Sequence, residues 1–355
     1  MDRFIAIDAG KSATKVAMFH SGNKEAKTFS FATKISQGDF RDDALEKKTA
    51  IVKINGVTYK IGNGATKMAG LETSKNSDIH RNCILAAIAM ACAKKEDNKV
   101  HAAIGMPVSE WENVAKRVAF KKFIFPEKEY TIEVKTGAER PIQKKTFSIE
   151  SIHVYPETQG ALFIGDTVDS GDAAVIDLGF QNNNCTVWSD FELNHKYSIT
   201  GNLGGGRLLA NIARNLSREF TFCDETTVMN ILLKKEEERF LIANKDPDGK
   251  IKEKSHQIIM DTMMNYVKDI RRDCDAAEWP IDYMKLYFIG GTSLLLKNEI
   301  IKVFGDGIYI PEKPEYANCL GFLRVMCGKI LNEKIIMPKY VNNLLDIDEN
   351  NTPAA

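Results

Sequence analysis

Two acidic bends built on glycine stand far apart in this sequence, Asp8-Ala9-Gly10-Lys11-Ser12-Ala13-Thr14-Lys15 and Asp177-Leu178-Gly179-Phe180-Gln181-Asn182. A glycine at such a bend lets backbone N–H groups approach an anion, and an aspartate beside it can hold a hard cation or its waters. A pair of such bends is suited to gripping a nucleotide polyphosphate and its metal ion. A third bare turn, Gly290-Gly291-Thr292, follows the apolar run Leu286-Tyr287-Phe288-Ile289 and lets backbone approach a flat ring. Gly204-Gly205-Gly206 precedes a helical pattern, and its N–H groups suit a phosphate or a packed neighbour equally well.

The elements that must carry these bends are legible from periodicity. Phe4-Ile5-Ala6-Ile7 and Ala173-Ala174-Val175-Ile176 read as strands entering the bends, and β-type runs follow each bend, at Lys15–Phe19 and Cys185–Trp188. Asn55-Gly56 between alternating runs marks a hairpin. Helical patterns cover Asp78 to about Lys95, a stretch opened by Ser109 with Trp111, Val114, Ala115 and Val118 inward, and Leu208 to Leu216. Further helices are expected over Asp224–Lys235, Glu253–Ala277, Ser293–Phe304 and Glu315–Asn332, with Gly305 closing the third and Pro156-Glu157-Thr158 opening a short one. The second half repeats the plan of the first, with the polar stretch Asp166–Asp172 as the junction and the Asn-rich tail from Asn342 expected to be disordered.

At 355 residues the chain has the length of two domains, and 44% hydrophobic with 27% charged residues is ordinary for a soluble protein. Lys+Arg and Asp+Glu both number 48, which argues against direct nucleic-acid binding through a broad basic face. No apolar run is long enough to span a membrane, and strand residues begin too early to leave room for a signal peptide. Seven cysteines without a CxxC pair, and six histidines without a metal-type cluster, indicate reduced thiols, no zinc site and a cytoplasmic location. Trp111, Trp188 and Trp279 read as core or interface aromatics, and Lys234–Arg239 as a solvated helix end.

The set of motifs resembles the actin superfamily of ATPases, most of all the bacterial plasmid-partitioning actins (ParM-type) and their archaeal relatives. Asp8-Ala9-Gly10 through Lys15 resembles the first phosphate loop and Asp177-Leu178-Gly179 the second. Ile104–Val108 resembles the strand-to-proline segment of the first domain. Pro156-Glu157 falls where the family places the acid that orients the attacking water. Gly201–Arg207 resembles the segment opening a long helix, Gly290-Gly291-Thr292 the adenosine turn, and Ala317–Phe322 the helix that returns to the first domain. Two departures stand out. Lys11 occupies the place of a small hydroxyl residue, leaving Ser12 or Thr14 for its work. Phe180-Gln181-Asn182-Asn183-Asn184 stands where Gly, Ser or Thr is usual.

The resemblance implies an α/β, two-domain, duplicated ribonuclease H-like fold with a central nucleotide cleft. Domain I would cover 1–165 with 317–340 returning to it and a small β-rich subdomain at 33–75; domain II would cover 166–316. It implies ATP (or GTP) and Mg²⁺ as cofactors, Asp8 and Asp177 holding the metal mainly through water, and Glu157 orienting or deprotonating the attacking water. Lys15 would neutralise phosphate charge, backbone at Gly10–Ser12 and Gly179–Gln181 would cradle oxygens, and Lys234 would reach the ribose or base. The function expected is a self-assembling ATPase that segregates plasmid DNA through a separate DNA-binding adaptor. A small-molecule kinase and a non-polymerising ATP switch of the same superfamily are the alternatives.

Overall fold

The apolar runs beside the acidic bends become strands in the computed structural model. It describes all residues except 21–22, 41–44, 71–73, 95–96, 139, 166–170, 221, 244, 247, 333–335 and 341–355, and the side chains of 23–24 and 336–340 are likewise set aside. Most of the expected junction and the Asn-rich tail therefore lie outside the described residues. β1 (Asp2–Ala9) and β2 (Ala13–His20) form the first hairpin, with Asp8 opposite Lys15. β3 (Asn23–Ala32) and β4 (Lys34–Gln37) follow. Asn55-Gly56 joins β5 (Thr49–Ile54) to β6 (Val57–Gly62) with φ of 49° and 81°, the positive pair that a two-residue type I′ turn requires.

After β7 (Lys67–Met68), Ser77 caps α1 (Asp78–Ala91), whose alanine-rich surface is buried almost all round rather than on one face. Beyond β8 (Asn98–Met106), the single helix expected from Ser109 is two: α2 (Val108–Trp111) and α3 (Val114–Ile124). The Asn113 side chain accepts the Lys116 N–H and starts a new helix there. That restart turns Val114 and Val118 outward, 63% and 60% exposed, and sends Phe120 and Ile124 to the core. β9 (Glu129–Lys135) and β10 (Gln143–Pro156) complete this part. The short helix expected at Pro156 begins later, as a 3-10 turn over Gln159–Phe163, because Thr158 takes φ 77°.

The second part runs β11 (Asp172–Leu178), β12 (Asn183–Ser189), β13 (Glu192–Gly201), α4 (Gly205–Glu219), α5 (Glu225–Leu232), α6 (Lys250–Ala276) and β14 (Lys285–Ile289). Leu296, at φ −104° and ψ 11°, splits the next expected helix into α7 (Gly291–Leu295) and α8 (Lys297–Phe304), and Gly305 closes α8 as expected. β15 (Ile308–Tyr309), α9 (Ala317–Leu331) and β16 (Ile336–Tyr340) are the last described elements.

One compact unit holds Met1–Val168 and Tyr316–Ala355, and the other holds Asp169–Glu315. Within the 11-stranded sheet of the first lies the run β3-β2-β1-β8-β10; the five-stranded sheet of the second is β13-β12-β11-β14-β15. In both, the first three strands pair antiparallel and the last two join parallel. The same order and directions occurring twice is the duplicated ribonuclease H-like plan. β16 lies beyond β3, while β9-β5-β6-β4-β7 extends the first sheet past β10.

Strand alternation sorts β1 between two cores: Ile5 and Ile7 join the cluster under α1, and Phe4 and Ala6 the cluster under α9. Burial on both faces explains why such strands read as continuous apolar runs. The second unit packs β11, β12 and β14 against α4, α6 and α8 through Ile176, Leu208, Ile212, Met263 and Ile300. Trp188 and Trp279 are buried, and Trp111 packs partly buried at the edge of the first core. All seven cysteines are buried, and none is in a disulfide.

Candidate functional site

In the first unit, Asp8 lies at the carboxyl end of β1, and the parallel neighbours β8 and β10 end at Met106 and Pro156. Carboxyl ends of such strands are where open α/β sheets place ligands. The Glu157 N–H donates to the Met106 carbonyl at 2.9 Å, which sets Glu157 beside the end of the neighbouring strand. Between the two acids sits a residue that no motif indicated. Lys75 Nζ is 3.2 Å from Asp8 Oδ1 and 2.5 Å from Glu157 Oε1, and the residue is 4% exposed. Lys15 Nζ stands 3.9 Å from Asp8 Oδ2.

Charge governs this group. Burial alone would raise the Asp8 carboxyl, but Lys75 and Lys15, with bonds from Lys75 and Asn318, hold it below the usual carboxylate range. Burial opposes protonation of Lys75, yet Glu157 and Asp8 outweigh it and raise its pKa. Partial burial lowers Lys11, with Glu157 opposing and Lys75 adding to the fall. Asn318, from α9, also accepts the Thr158 N–H at 2.9 Å. It reaches this position because Gly321 and Gly160 meet backbone to backbone: a Cβ on Gly321 would lie 1.9 Å from the Gly160 carbonyl.

The first bend is tightly held. The Gly10 N–H donates to the Ala13 carbonyl at 3.1 Å, and a Cβ on Gly10 would stand 3.0 Å from that oxygen and 3.1 Å from Lys15 Nζ. Thr33 reinforces it, its hydroxyl donating to the Gly10 carbonyl at 2.6 Å and its N–H to the Ser12 carbonyl at 3.0 Å. The Thr14 hydroxyl, one of two expected phosphate contacts, instead lies fully buried 2.9 Å from the Thr33 hydroxyl. Alternation along β2 turns residue 14 inward and leaves Ser12, in the bend, as the accessible hydroxyl.

In the second unit three glycine segments converge. Asp177, one residue before the end of β11, packs so closely against Gly290 that a Cβ there would lie 2.6 Å from Asp177 Oδ1. Gly290 also holds φ 83°, a conformation suited to glycine. The Thr292 hydroxyl donates to the Gly179 carbonyl at 3.3 Å. A Cβ on Gly205 would lie 2.4 Å from Thr292 Oγ1, and one on Gly204 2.5 Å from the Gln181 carbonyl oxygen.

The N-terminus of α4 is engaged: Gly205 N–H donates to the Gly179 carbonyl at 2.9 Å and Gly206 N–H to the Phe180 carbonyl at 2.7 Å. Of the two uses open to Gly204-Gly205-Gly206, the packed neighbour is the one realised, so these glycines shape the second bend. A Cβ on Gly179 would sit 2.9 Å from the Asn182 carbonyl, which closes that bend. Gln181 Oε1 is buried without a partner among the described residues, and Phe180 is 38% exposed. Gly291 has open space where a Cβ would stand. Lys234 is exposed beyond α5, its carbonyl accepting from Arg239 Nε at 3.2 Å, and no described contact ties it to these loops.

Sequence motifs thus located Asp8, Lys15, Glu157 and the glycine segments but missed Lys75, Asn318 and Thr33. Lys75 stands outside every motif, and Thr33 lies one strand away from the bend it braces. Asn318 falls inside the returning-helix segment, whose resemblance was the one available signal. Among the described residues no group of three His, Cys, Asp or Glu side chains could hold a metal alone. An aspartate at a glycine bend has the donor chemistry that suits Mg²⁺, which keeps several waters and takes one or two carboxylates with substrate phosphates. Asp8 in the first unit and, separately, Asp177 in the second are the acidic residues at such bends.

Comparison with known proteins places this geometry. Residues 6–160 match the family model described as actin like proteins N terminal domain. Among solved structures, the chain is similar to an Alp12 filament structure at 22% identity, covering 92% of this chain and 99% of that one with a TM-score of 0.70. A structure of Bacillus thuringiensis ParM with ATP is similar at 19% identity, 93% and 99% coverage and a TM-score of 0.68. The archaeal actin homologue Ta0583 is similar at 17% identity, 92% and 100% coverage and a TM-score of 0.72. No curated protein matches the chain in sequence. The chain therefore has the actin-like fold, and its residues 6–160 match the model of the actin-like N-terminal domain.

Proposed function

We propose that this chain binds and hydrolyses ATP with Mg²⁺ and assembles with copies of itself into filaments. The observation that carries the reading is the buried group of Asp8, Lys75 and Glu157 at the carboxyl ends of parallel strands, with Lys15 beside it. Phosphoryl transfer needs positioned charge more than covalent chemistry. Asp8 and Asp177 hold the metal mainly through water, Lys15 offsets phosphate charge, and Glu157 orients the attacking water. Backbone at Gly10–Ser12 and Gly179–Gln181 contacts phosphate oxygens, and the Gly290–Thr292 turn lies against the nucleoside. Lys234 is the weakest member of the set, since nothing described links it to the loops.

Assembly is supported by the likeness to the Alp12 filament and to a 15-stranded ParM filament from Clostridium botulinum. A role in plasmid segregation through a DNA-binding adaptor follows from the ParM-type resemblance, and the equal count of 48 basic and 48 acidic residues suits indirect DNA contact.

The test is phosphate release and light scattering by the purified protein with Mg-ATP, Mg-GTP or no nucleotide. The expected result is hydrolysis with a scattering rise above a critical protein concentration, and a loss of about 10²–10⁴ in rate for Glu157→Ala. Parental hydrolysis by that variant removes Glu157 from its role. Absence of scattering under every nucleotide, with hydrolysis intact, points to a non-polymerising ATP switch.

A further inference from the structure

We infer that Lys75 is a positioning residue of the hydrolytic centre, its ammonium fixing the direction of the Glu157 carboxylate by spanning from it to Asp8. The inference rests on the reading of Glu157 as the group that orients water. Lys75 Nζ lies 2.5 Å from Glu157 Oε1 and 3.2 Å from Asp8 Oδ1. The three residues are 4%, 9% and 7% exposed respectively, so water competes weakly for the contact. A buried ammonium is tolerated only when opposite charges surround it, and here two carboxylates do so.

The backbone shows why the side chain needs this partner. The N–H of Glu157 is held by the Met106 carbonyl at 2.9 Å, and the next N–H, of Thr158, by Asn318 Oδ1 at 2.9 Å. The main chain on both sides of Glu157 is therefore pinned, and the freedom that remains is in its side-chain torsions. Glutamate has several staggered choices there. The contact with Lys75 selects among them, and the second contact, to Asp8, ties that choice to the end of β1. A carboxylate that orients water loses rate steeply when misplaced, with about 10² lost per ångström. Lys15, at 3.9 Å from Asp8 Oδ2, braces the metal-side acid instead.

A merely structural ion pair would give the same contacts, so the test must separate the two. Steady-state hydrolysis of Mg-ATP is measured for the parent, Lys75→Met, Lys75→Arg, Glu157→Gln and the double variant K75M/E157Q, with thermal melting of each without nucleotide. K75M is expected to lose about 10–100-fold in kcat with KM changed less than about 3-fold. K75R, which keeps the charge, is expected to recover part of that loss. In the E157Q background K75M should cost almost nothing further, because the two residues act as one unit. K75M leaves two buried carboxylates without their shared cation, so its melting temperature falls, and the double variant recovers part of the fall.

An undiminished kcat in K75M, or a loss carried wholly by KM, overturns the inference while a slow E157Q leaves the reading of Glu157 intact. Should K75M fail to fold, E157Q against K75M/E157Q still decides: a further 10-fold loss in the double variant overturns it. Equal rates in the parent and E157Q overturn the reading of Glu157 and this inference with it.

Discussion

His80 is a neutral imidazole walled in by positive charge. Burial pushes its pKa down to about 3, Lys75 and Lys11 push the same way, and Asp8 opposes them. Ser77 Oγ accepts the His80 N–H at 3.4 Å, so its own proton is available to His80 Nδ1 at 2.8 Å. His80 Nε2 has no partner among the described residues. The consequence is a pH dependence of stability. The unfolded chain protonates this histidine near pH 6.5, while the folded chain resists until about pH 3. The folded state thus binds fewer protons in that window, and stability present above pH 6.5 declines as pH falls. At about 1.4 kcal/mol per unit, the loss by pH 5 is about 2 kcal/mol. Urea unfolding at pH 7 and pH 5 should show this extra loss in the parent and not in His80→Gln; equal losses in the two would remove the assignment. Asp8, also held low, loses its contribution as pH falls below its ordinary value of 3.8, which lies under the pH 7 to pH 5 comparison. At this scale the residues legible in the sequence were those in local patterns: Asp8 and Lys15 share one hairpin. Lys75 and Thr33 escaped because they stand in segments that carry no motif of their own and act only through tertiary contacts.

Glycines within α9 show how an element places a side chain. Gly321 allows the helix to meet the Gly160 turn at backbone distance, and this seats Asn318 against Asp8 and Thr158. Gly328, in the same helix, has nothing within 4 Å of where a Cβ would stand. Gly321→Ala should therefore destabilise by at least the roughly 1–3 kcal/mol typical of overpacking and slow hydrolysis as Asn318 is displaced. Gly328→Ala should be neutral or stabilise by up to about 1 kcal/mol through helix propensity. Melting temperature and ATPase rate of the two variants check this, and comparable behaviour in both would show that the close crossing is not what holds the helix. Most elements followed from periodicity and turn chemistry: the Asn55-Gly56 hairpin, the strand ending at Ile289 and the Gly305 stop all lie where local residues put them. The breaks did not. Asn113 sits inside a pattern that reads as one continuous helix, and only the cap it makes with the Lys116 N–H reveals the restart.

For the whole molecule, the repeated sheet order was legible because each acidic bend is entered and left by a β-type run, and that pattern occurs twice. How the strands beyond β10 join that sheet was not, since their pairing connects distant segments, such as Val52 with Val134. Each unit carries one aspartate at a glycine bend, and neither contains, among the described residues, a group of three ligands able to hold a metal alone. For the proposed Mg-ATP ligand, nucleotide phosphates complete the coordination, so metal and nucleotide should stabilise the fold only together. A ligand that binds the folded state alone adds about 2.7 kcal/mol at 100 times its Kd. Thermal melting with saturating Mg-ATP should rise accordingly. EDTA should remove most of the gain, and Mg²⁺ without nucleotide should give little. A shift that survives EDTA unchanged would mean that lysines and backbone amides hold the nucleotide without Asp8 or Asp177 acting through a metal. A shift with Mg²⁺ alone would require a metal site that the described acidic residues do not form.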